Sequence, residues 1–314
     1  MTGIVTVTLN PALDLTTSVE CLVSGVKLRC RTPRVDAGGG GVNVSRAIAK
    51  LGDDSLAFVA LGGPTGETLR RILVTEGIKH ECFETIGETR QSLVVHEDAS
   101  GEQYRFVLPG PCWSAAKFEA LIDRLGRLIE PGQCVVVSGS MPPGVRDDAA
   151  VRIVRLAENL NACAVADISG PALAALAQSA PNRSLTLIMN ENVATGMAGK
   201  TLDVRRATEF CRQLVGKGAA ETAIVTLGDN GAVAAREGEA WHVSPPPVDV
   251  VSKVGAGDSF AAGLVIGLNK NWPFSRALTY AMASATSAVT TPATELCTME
   301  GTEACIGSVS CNRL

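Results

Sequence analysis

The stretch Lys253-Val254-Gly255-Ala256-Gly257-Asp258-Ser259-Phe260 leads into a run of small and apolar residues, 261–268, that predicts a buried helix. The turn delivers Asp258 to the first turn of that helix. Its glycines leave the backbone N–H groups of residues 255–257 uncovered, and a helix N-terminus carries partial positive charge. Such a place suits the charge that builds on a phosphoryl group in transfer, and Asp258 could take the proton of an attacking hydroxyl. The alternative is an ordinary turn with Asp258 as N-cap.

Length and composition narrow the class of protein. The 314 residues suffice for one large α/β domain, or for one domain and a small appendage. The net charge of −4 argues against a nucleic-acid surface over the whole molecule, so no nucleic-acid partner is expected. Hydrophobic residues make up 46% of the chain but aromatic residues only 4%, so Ala, Val, Leu and Ile must form the core. This mixture is typical of parallel strands covered by helices.

The cysteines, the histidines and the N-terminal sequence indicate the compartment. Ten cysteines are scattered without a C-x-x-C pair, which favours reduced thiols over disulfides or zinc ligands. His80, His96 and His242 lack ligand spacing, so we expect structural or surface roles for them. The chain runs directly into the strand-like residues 4–9, without a basic targeting segment or an apolar run of membrane-spanning length. We therefore expect a soluble, cytoplasmic protein with no membrane partner.

The order of the elements predicts an α/β fold with a central, mostly parallel sheet covered by helices. Strand and helix patterns alternate regularly from residue 115 onward, as in right-handed βαβ units that bind ligands at the carboxyl ends of their strands. The predicted strands are residues 4–9, 56–61, 134–138, 162–168, 185–189, 222–227 and 232–235. The predicted helices are residues 42–51, 67–76, 117–129, 147–160, 171–178 and 204–215.

A second, smaller sheet is predicted from segments that do not fit this alternation. Residues 15–23 and 27–35 have strand-like patterns, and a hairpin signature follows further along the chain. We expect one domain over residues 1–314, with a small antiparallel lid inserted near 15–36 and 90–108. A cleft would separate this lid from the main sheet, and a flat lid would need a partner to cover it.

Four consecutive glycines, Gly38 to Gly41, precede the first predicted helix. Two glycines would suffice for a tight turn, so close approach of the backbone to a ligand explains the run better than a flexible loop does. Asn43 follows in the first turn of the helix and can hydrogen-bond a hydroxyl-rich ligand. Asp14 could accept hydrogen bonds from sugar hydroxyls, or it could form an Asx turn after Asn10-Pro11.

Six motifs in order give the chain, over nearly its whole length, a resemblance to PfkB-type members of the ribokinase superfamily of sugar kinases. They are Thr8-Leu9-Asn10-Pro11-Ala12-Leu13-Asp14, Lys27-Leu28-Arg29-Cys30, Gly38-Gly39-Gly40-Gly41-Val42-Asn43-Val44, Gly101-Glu102-Gln103-Tyr104-Arg105-Phe106, Ser138-Gly139-Ser140-Met141-Pro142-Pro143-Gly144 and Val254-Gly255-Ala256-Gly257-Asp258-Ser259. The second and fourth motifs are most similar to those of minor-type bacterial ATP-dependent 6-phosphofructokinases.

The resemblance implies a ribokinase-like fold with a β-sheet lid, paired with a second copy in a homodimer through that lid. It also implies transfer of the γ-phosphoryl group of ATP to the 1-hydroxyl of fructose 6-phosphate, with Mg²⁺ and a monovalent cation such as K⁺ as cofactors. Tagatose 6-phosphate and fructose 1-phosphate remain alternative acceptors. A sugar-phosphate-binding protein that has lost turnover is an alternative of a different class.

Matching positions carry the roles of the family to this chain. Asp258 matches the catalytic base, and Gly255, Ala256 and Gly257 match the anion hole. The positions that match sugar contacts are Asp14, Gly39, Gly40 and Asn43; those around the acceptor and its phosphate are Lys27, Arg90, Arg105 and Ser140; those of the nucleotide site are Asn190, Thr226, Gly228 and Gly231. Arginine offers a forked donor to a phosphate dianion, whereas a kinase for a neutral sugar would not use these cations. The alternative for such arginines is a solvated surface position.

Two expectations concern the carboxylates of the site. Beside an anion hole at a helix N-terminus, Asp258 should be stabilised as an anion, so that it acts by position as a weak base.

The family usually has Asn-x-x-Glu after the fifth core strand, but here Val193 occupies the glutamate position and Ile188 replaces a lysine. Glu191 or Asn192 could compensate, so no metal ligands are assigned. The C-terminal residues resemble the adenine and cation loop only loosely, and the tail after 297 is short of helix formers.

Overall fold

A computed structural model describes residues 3–314 of the chain, which form two β-sheets flanked by helices. The strands are β1 Ile4–Thr8, β2 Ala12–Val19, β3 Arg34–Gly38, β4 Leu56–Leu61, β5 His80–Glu84, β6 Arg90–Glu97, β7 Gln103–Val107, β8 Cys134–Ser138, β9 Cys163–Asp167, β10 Leu185–Asn190, β11 Thr222–Thr226, β12 Ala232–Arg236, β13 Glu239–Ser244 and β14 Ser310–Arg313. The α-helices are α1 Gly40–Lys50, α2 Gly63–Thr75, α3 Ala115–Leu128, α4 Ala149–Asn159, α5 Pro171–Gln178, α6 Glu191–Ala198, α7 Val204–Gly216, α8 Ala256–Asn269, α9 Phe274–Val289 and α10 Met299–Ile306.

The large sheet has ten strands in the order β14-β13-β12-β11-β10-β9-β8-β1-β4-β5. The seven strands from β5 to β11 in this order pair in parallel, and β12, β13 and β14 extend the edge antiparallel. The predicted, mostly parallel central sheet is confirmed. The chain order reverses where β1 pairs with both β4 and β8, which is the point where open α/β sheets bind ligands.

The helix that follows the Gly-Ala-Gly turn is buried, as the sequence predicts. Its small residues permit close contact with α9, because a Cβ atom at Gly263 or Gly267 would overlap the Cα atoms of Ala281 or Ala277. Nine consecutive residues of α8, from Ser259 to Gly267, are buried. A helix buried on nearly all sides fixes the position of its N-terminus, and with it the position of Asp258.

The lid is a separate four-stranded sheet in the order β3-β2-β6-β7. The prediction of a purely antiparallel sheet is wrong in one detail, because the central pair β2–β6 is parallel. The predicted strand at 27–35 is also wrong: residues 20–33 lack strand structure, and β3 begins only at Arg34. The segment turns at Gly25, whose φ is +79°, and Pro33 has no N–H to pair.

Several elements have no counterpart in the sequence prediction. They are β5, β13, β14, α6, α9 and α10. Although the tail after residue 297 is short of helix formers, α10 forms there, and Thr298 caps it by accepting a hydrogen bond from the N–H of Gly301 (3.1 Å). The cysteines are free thiols, as predicted. Within residues 3–314, no helix has both the length and the apolar character needed to cross a lipid bilayer.

Candidate active site

The site begins at the N-terminus of α8. Gly255 adopts a left-handed conformation with a φ of +82°, and a Cβ atom there would overlap the side chain of Leu296. Only glycine suits this position, so the helix can start at Ala256 with its first N–H groups uncovered. Asp258 lies in the first turn, partly exposed to the cleft, and its Oδ2 accepts a hydrogen bond from Nδ2 of Asn43 on α1 (2.9 Å).

The electrostatics of Asp258 differ from the expectation of a stabilised anion. Burial, and secondly the charge of Asp167, raise the pKa of Asp258 to about 7, against the lowering effects of the Asn43 hydrogen bond and the Arg105 charge. Desolvation and a like charge therefore outweigh the partial positive charge of the helix end. A carboxylate with a pKa near neutrality is a stronger base than an ordinary aspartate, which suits proton abstraction at physiological pH.

Asp167 belongs to this site, although it was not among the predicted residues. It is the last residue of β9, and burial raises the pKa of its carboxyl group to about 6 while a hydrogen bond from Ser138 opposes the shift. Its backbone oxygen accepts a hydrogen bond from the N–H of Gly139 (3.1 Å). The available signal was an acidic residue at the carboxyl end of a predicted core strand, next to the strand that ends in Ser138.

Contacts within the protein also account for glycine in this run, a reason that the sequence interpretation did not include. A Cβ atom at Gly38 would overlap the Asp14 carboxylate, and one at Gly40 would overlap Ser138 and Gly139. Gly39 has a φ of +110° and caps α1. The run therefore lets β3 and α1 approach the ends of β1, β2 and β8, and this brings Asn43 to Asp258. Direct sugar contacts of Gly39 and Gly40 remain a prediction.

Two of the three predicted cations act on the carboxylate of Asp14. The charges of Arg90 and Arg105 both lower the pKa of Asp14, although burial raises this pKa overall. The charge of Arg105 also lowers the pKa of Asp258, so this arginine acts on the carboxylates of both the lid and α8. Lys27 is exposed on the segment between β2 and β3. Its role at the acceptor stays a prediction.

Asn10, at the end of β1, connects two other predicted residues. Its Nδ2 donates a hydrogen bond to Oγ of Ser140 (3.0 Å), and its carbonyl oxygen accepts one from Nε of Arg90 (3.2 Å). Asn10 is buried, so it holds the loop after β8 and the start of β6 together at the base of the cleft. Ser140 itself is exposed.

A cavity of about 660 Å³, within the size range of small-molecule sites, lies between β11, α6 and the start of α8. Asn190, Thr226, Gly228 and Ala256 line it, as the predicted nucleotide and anion-hole positions require. Its apolar side includes Val250, Met282 and Val289, and its polar side includes Glu191, Asn192 and Lys253. Gly231 is explained by packing, because a Cβ atom there would overlap the carbonyl oxygen of Val243.

The departure at Val193 is explained by packing as well. Val193 packs against the core, while Asn190 caps α6 by accepting a hydrogen bond from the Val193 N–H (3.0 Å). Glu191 and Asn192 line the cavity, so their oxygen atoms are available there. Within the described part of the chain, no group of three or more His, Cys, Asp or Glu side chains is placed to hold a metal ion. Mg²⁺ at a phosphoryl-transfer site needs only one or two carboxylates in addition to phosphates and water. The side-chain oxygens of Glu191 and Asn192 are therefore a suitable set of protein ligands for this ion.

The geometry joins a carboxylate of raised pKa, uncovered helix N–H groups, arginines whose charges act on the carboxylates of the site, and a cavity of small-molecule size. Phosphoryl transfer needs these parts, because its catalysis consists mostly of positioning and charge stabilisation. An Asp at an ordinary N-cap would need neither the Asn43 hydrogen bond nor a raised pKa. The catalytic alternative is therefore favoured over the ordinary turn.

Comparison with known proteins agrees with this chemistry. The chain is 36% identical over 307 residues to the ATP-dependent 6-phosphofructokinase isozyme 2 of Escherichia coli, covering 96% of this chain and 97% of that one. It is 31% identical to the 1-phosphofructokinase of Xanthomonas campestris, over 84% of this chain and 83% of that one. The crystal structure of the E. coli phosphofructokinase-2 in complex with fructose-6-phosphate superposes with a TM-score of 0.90, at 32% identity, over 98% of this chain and 99% of that one.

Further structures of the E. coli protein are described as a complex with potassium and as a tetrameric inhibited form. Residues 7–300 match the description "pfkB family carbohydrate kinase". The ribokinase-like architecture predicted from the sequence is confirmed by the structural likeness. The site geometry, the family match and the full-length similarity lead to one conclusion: the chain belongs to the pfkB family of carbohydrate kinases.

Proposed function

We propose that this kinase transfers the γ-phosphoryl group of ATP to the 1-hydroxyl of D-fructose 6-phosphate, giving fructose 1,6-bisphosphate and ADP. The observation that carries the proposal is the position of Arg105, whose charge acts on both Asp14 and Asp258. A cation held over both the predicted sugar contact and the base suits an acceptor that already carries a phosphate. The full-length similarity to the E. coli 6-phosphofructokinase isozyme 2 supports the same acceptor.

In the proposed mechanism, Asp14 and Asn43 hold the sugar hydroxyls, and Arg90 and Arg105 hold its existing phosphate. Asp258 accepts the proton of the 1-hydroxyl as the new oxygen–phosphorus bond forms and the bond to ADP breaks. The N–H groups of residues 255–257 stabilise the charge on the transferred phosphoryl group. The nucleotide occupies the cavity lined by Thr226 and Gly228.

Glu191 and Asn192 are the residues that would hold Mg²⁺, and the ion would neutralise charge on the nucleotide phosphates when bound.

We also propose a monovalent-cation requirement, supported by the potassium complex of the E. coli protein. Activity in KCl compared with tetramethylammonium chloride tests it, and equal rates would exclude it. The remaining proposals are a single kinase domain over residues 1–314, a cytoplasmic location, and no membrane or nucleic-acid partner.

The acceptor is tested by initial rates with ATP and Mg²⁺ on fructose 6-phosphate, tagatose 6-phosphate and fructose 1-phosphate. We expect the highest kcat/KM for fructose 6-phosphate. A higher value for fructose 1-phosphate would favour the activity of the Xanthomonas relative instead. Asp258→Asn should lower kcat by about 10²–10⁴-fold, the usual contribution of a general base. Binding without turnover in the wild type would identify the chain as a sugar-phosphate-binding protein.

We propose a homodimer that pairs through the lid. Val35, Leu15, Leu93 and Phe106 are in register across the four strands, and they form a row on one face of the lid sheet. Val35, Leu93 and Phe106 are 40%, 37% and 49% exposed, so this face presents a continuous apolar surface that a second lid can cover.

Light scattering on the eluting protein tests the pairing. The wild type should have the mass of two chains or a multiple of two, since the E. coli protein also has a tetrameric form. Leu93→Asp combined with Phe106→Asp should give monomers. Ile86→Asp is the matched control, because Ile86 is 84% exposed but lies outside the strands of the lid. A monomeric wild type, or equal effects of all three changes, would contradict the pairing.

A further inference from the structure

The loop that follows α9, residues 291–297, lies between the lid and the N-terminus of α8. On the lid side, Oγ1 of Thr294 donates a hydrogen bond to Oδ2 of Asp36 on β3 (2.7 Å). The next residue, Glu295, forms an ion pair with Arg34 at the start of β3 (2.8 Å). Arg34 also pairs with Asp36 (2.9 Å), so one strand of the lid holds two consecutive residues of the loop.

On its other side, the same loop contacts the anion-hole turn. Leu296 is 1% exposed, and its side chain occupies the space where a Cβ atom of Gly255 would be. The next residue, Cys297, donates its N–H to Oγ of Ser259 in the first turn of α8 (3.3 Å). The backbone of Leu296 has a φ of +62°, a conformation that side-chain-bearing residues rarely adopt, and Thr291 donates a hydrogen bond to its carbonyl oxygen (2.8 Å).

The lid end of this chain of contacts reaches the proposed sugar site. Asp36 lies directly opposite Asp14 in the β2–β3 pairing, so the two side chains share the face of the lid that covers the cleft. Asp36 is buried, and Arg46 approaches it at 3.7 Å while donating to the carbonyl oxygens of Ala37 and Thr294. These contacts give a short path from Asp14 through Asp36, Thr294 and Leu296 to Gly255.

We propose that the 291–297 loop couples the two substrate sites: a sugar phosphate bound under the lid strengthens nucleotide binding at α8, and the nucleotide strengthens sugar-phosphate binding equally. Arg34, Asp36, Thr294 and Glu295 are positioning residues in this scheme, because they act on Gly255 through the loop. Equal effects in both directions are a thermodynamic necessity of any such coupling. The inference rests on the proposed function, since it places the sugar under the lid and the nucleotide phosphates at residues 255–257.

An isolated surface ion pair would not carry this proposal, because such pairs contribute little. Here the Arg34–Glu295 pair is accompanied by the hydrogen bond that the neighbouring Thr294 donates to the carboxylate of Asp36, and Arg34 also pairs with this buried Asp36. Two different interactions therefore fix the same three-residue segment, 294–296, on the lid. The segment in turn fills the space above Gly255, where a shift of Leu296 would change the turn that presents the N–H groups.

Calorimetric titration of the full-length chain measures the coupling directly. The dissociation constant of a non-hydrolysable ATP analogue with Mg²⁺ is determined with and without a saturating sugar phosphate. In the wild type we expect the sugar phosphate to lower this constant by about 10-fold, within the usual range of allosteric coupling. The readout requires no turnover, so it is independent of the catalytic role of Asp258.

Six variants separate coupling from general damage. Thr294→Val removes the hydroxyl donor at nearly constant shape and should reduce the coupling about fivefold or more, whereas Thr294→Ser keeps the donor and should retain it. Arg34→Gln and Glu295→Gln should each reduce the coupling, and the double variant should be no worse than either one. The control is Arg31→Gln, which breaks the 2.9 Å Arg31–Asp98 pair elsewhere on the lid and should leave the coupling unchanged.

Wild-type protein without coupling, or Thr294→Val and Arg34→Gln proteins with undiminished coupling, would overturn the inference. Equal losses in Arg31→Gln would also overturn it, since any disturbance of the lid would then suffice. The titration is run with each of the three candidate sugar phosphates. Failure of fructose 6-phosphate to bind while another one binds would refute the proposed acceptor, and the coupling would be judged with the sugar that binds.

Discussion

Asn43 and Asp258 are 215 positions apart in the chain, yet Nδ2 of Asn43 donates a 2.9 Å hydrogen bond to Oδ2 of Asp258. The bond connects the first turn of α1 with the first turn of α8, so the two helix N-termini open onto the same cleft. It also stabilises the ionised form of Asp258 against burial and the charge of Asp167. The pKa of Asp258 thus depends on burial and on four neighbouring residues that can each be changed separately: Asn43, Asp167, Asp14 and Arg105.

Replacing Asn43 removes the donor that favours the carboxylate. The hydrogen bond lowers the pKa of Asp258, so Asn43→Ala should move the acidic limb of the kcat/KM profile above the wild-type value, which we expect near pH 7. The rate at pH 7 should fall, with partial recovery at pH 8.5. A profile measured from pH 5.5 to 9 checks this, and an unchanged or lower apparent pKa would contradict the assigned bond.

Replacing Asp167 should have the opposite effect on the profile. The Asp167 charge raises the pKa of Asp258, so Asp167→Asn should shift the acidic limb of kcat/KM to lower pH. Asp249→Asn, at an exposed carboxylate, is the control and should leave the limb unchanged. If both substitutions moved the acidic limb of the kcat/KM profile equally, the cause would be the change in the net charge of the protein and not the interaction between Asp167 and Asp258.

The raised pKa of Asp258 also predicts a cost in stability. The pKa of Asp258 is about 7 in the folded protein, whereas an unperturbed aspartate has a pKa of 3.8. Between these two pH values the folded state therefore binds more protons than the unfolded state. Stability contributed by this group therefore falls as pH rises through that window. Asp258→Asn should increase the free energy of unfolding at pH 8 by about 2 kcal/mol, after discounting for the partial exposure of the side chain, and much less at pH 4.5.

Urea unfolding at the two pH values measures this difference. Asp249→Asn again serves as the control, because an exposed carboxylate should give the same small change at both. A stabilised but inactive Asp258→Asn protein would show that the site holds its base at the expense of stability. A decrease in stability at pH 8 would mean that the carboxylate is a net stabilising group, contrary to its raised pKa.

The lid arginine Arg105 should affect the sugar more than the nucleotide. Arg105→Ala removes a charge-assisted contact to the phosphate of the acceptor, so KM for fructose 6-phosphate should rise by about 10–100-fold while KM for ATP changes little. Arg31→Ala, on the same lid but paired with Asp98, should leave both constants near the wild-type values. Equal increases in both KM values for Arg105→Ala would show instead a general loss of lid closure.

Much of the architecture followed from local patterns. The strands 56–61 and 134–138 and the helix 171–178 were predicted at their observed bounds, because buried parallel strands are continuous apolar runs and Pro171 marks a helix start. The strands β5, β13 and β14 were missed. All three lie at or next to an edge of the large sheet, where the conformation of a strand depends on the neighbour with which it pairs. The Lys27–Val35 strand was predicted from alternation alone, which cannot reveal whether a pairing partner exists.

The sequence by itself determined the family, the positions of Asp258 and of the glycine turn, and the arginines of the lid, because these are sets of residues at fixed spacing. Only the tertiary structure decided the proton affinity of Asp258, the inclusion of Asp167 and the reason for the four glycines. A pKa depends on burial and on charges contributed by distant segments, and close approach depends on which backbones meet. The lid also contacts the 291–297 loop through two pairs that are distant in the sequence. Asp36 and Thr294 are separated by 258 positions, and Arg34 and Glu295 by 261. No local pattern can predict a pair at such a separation.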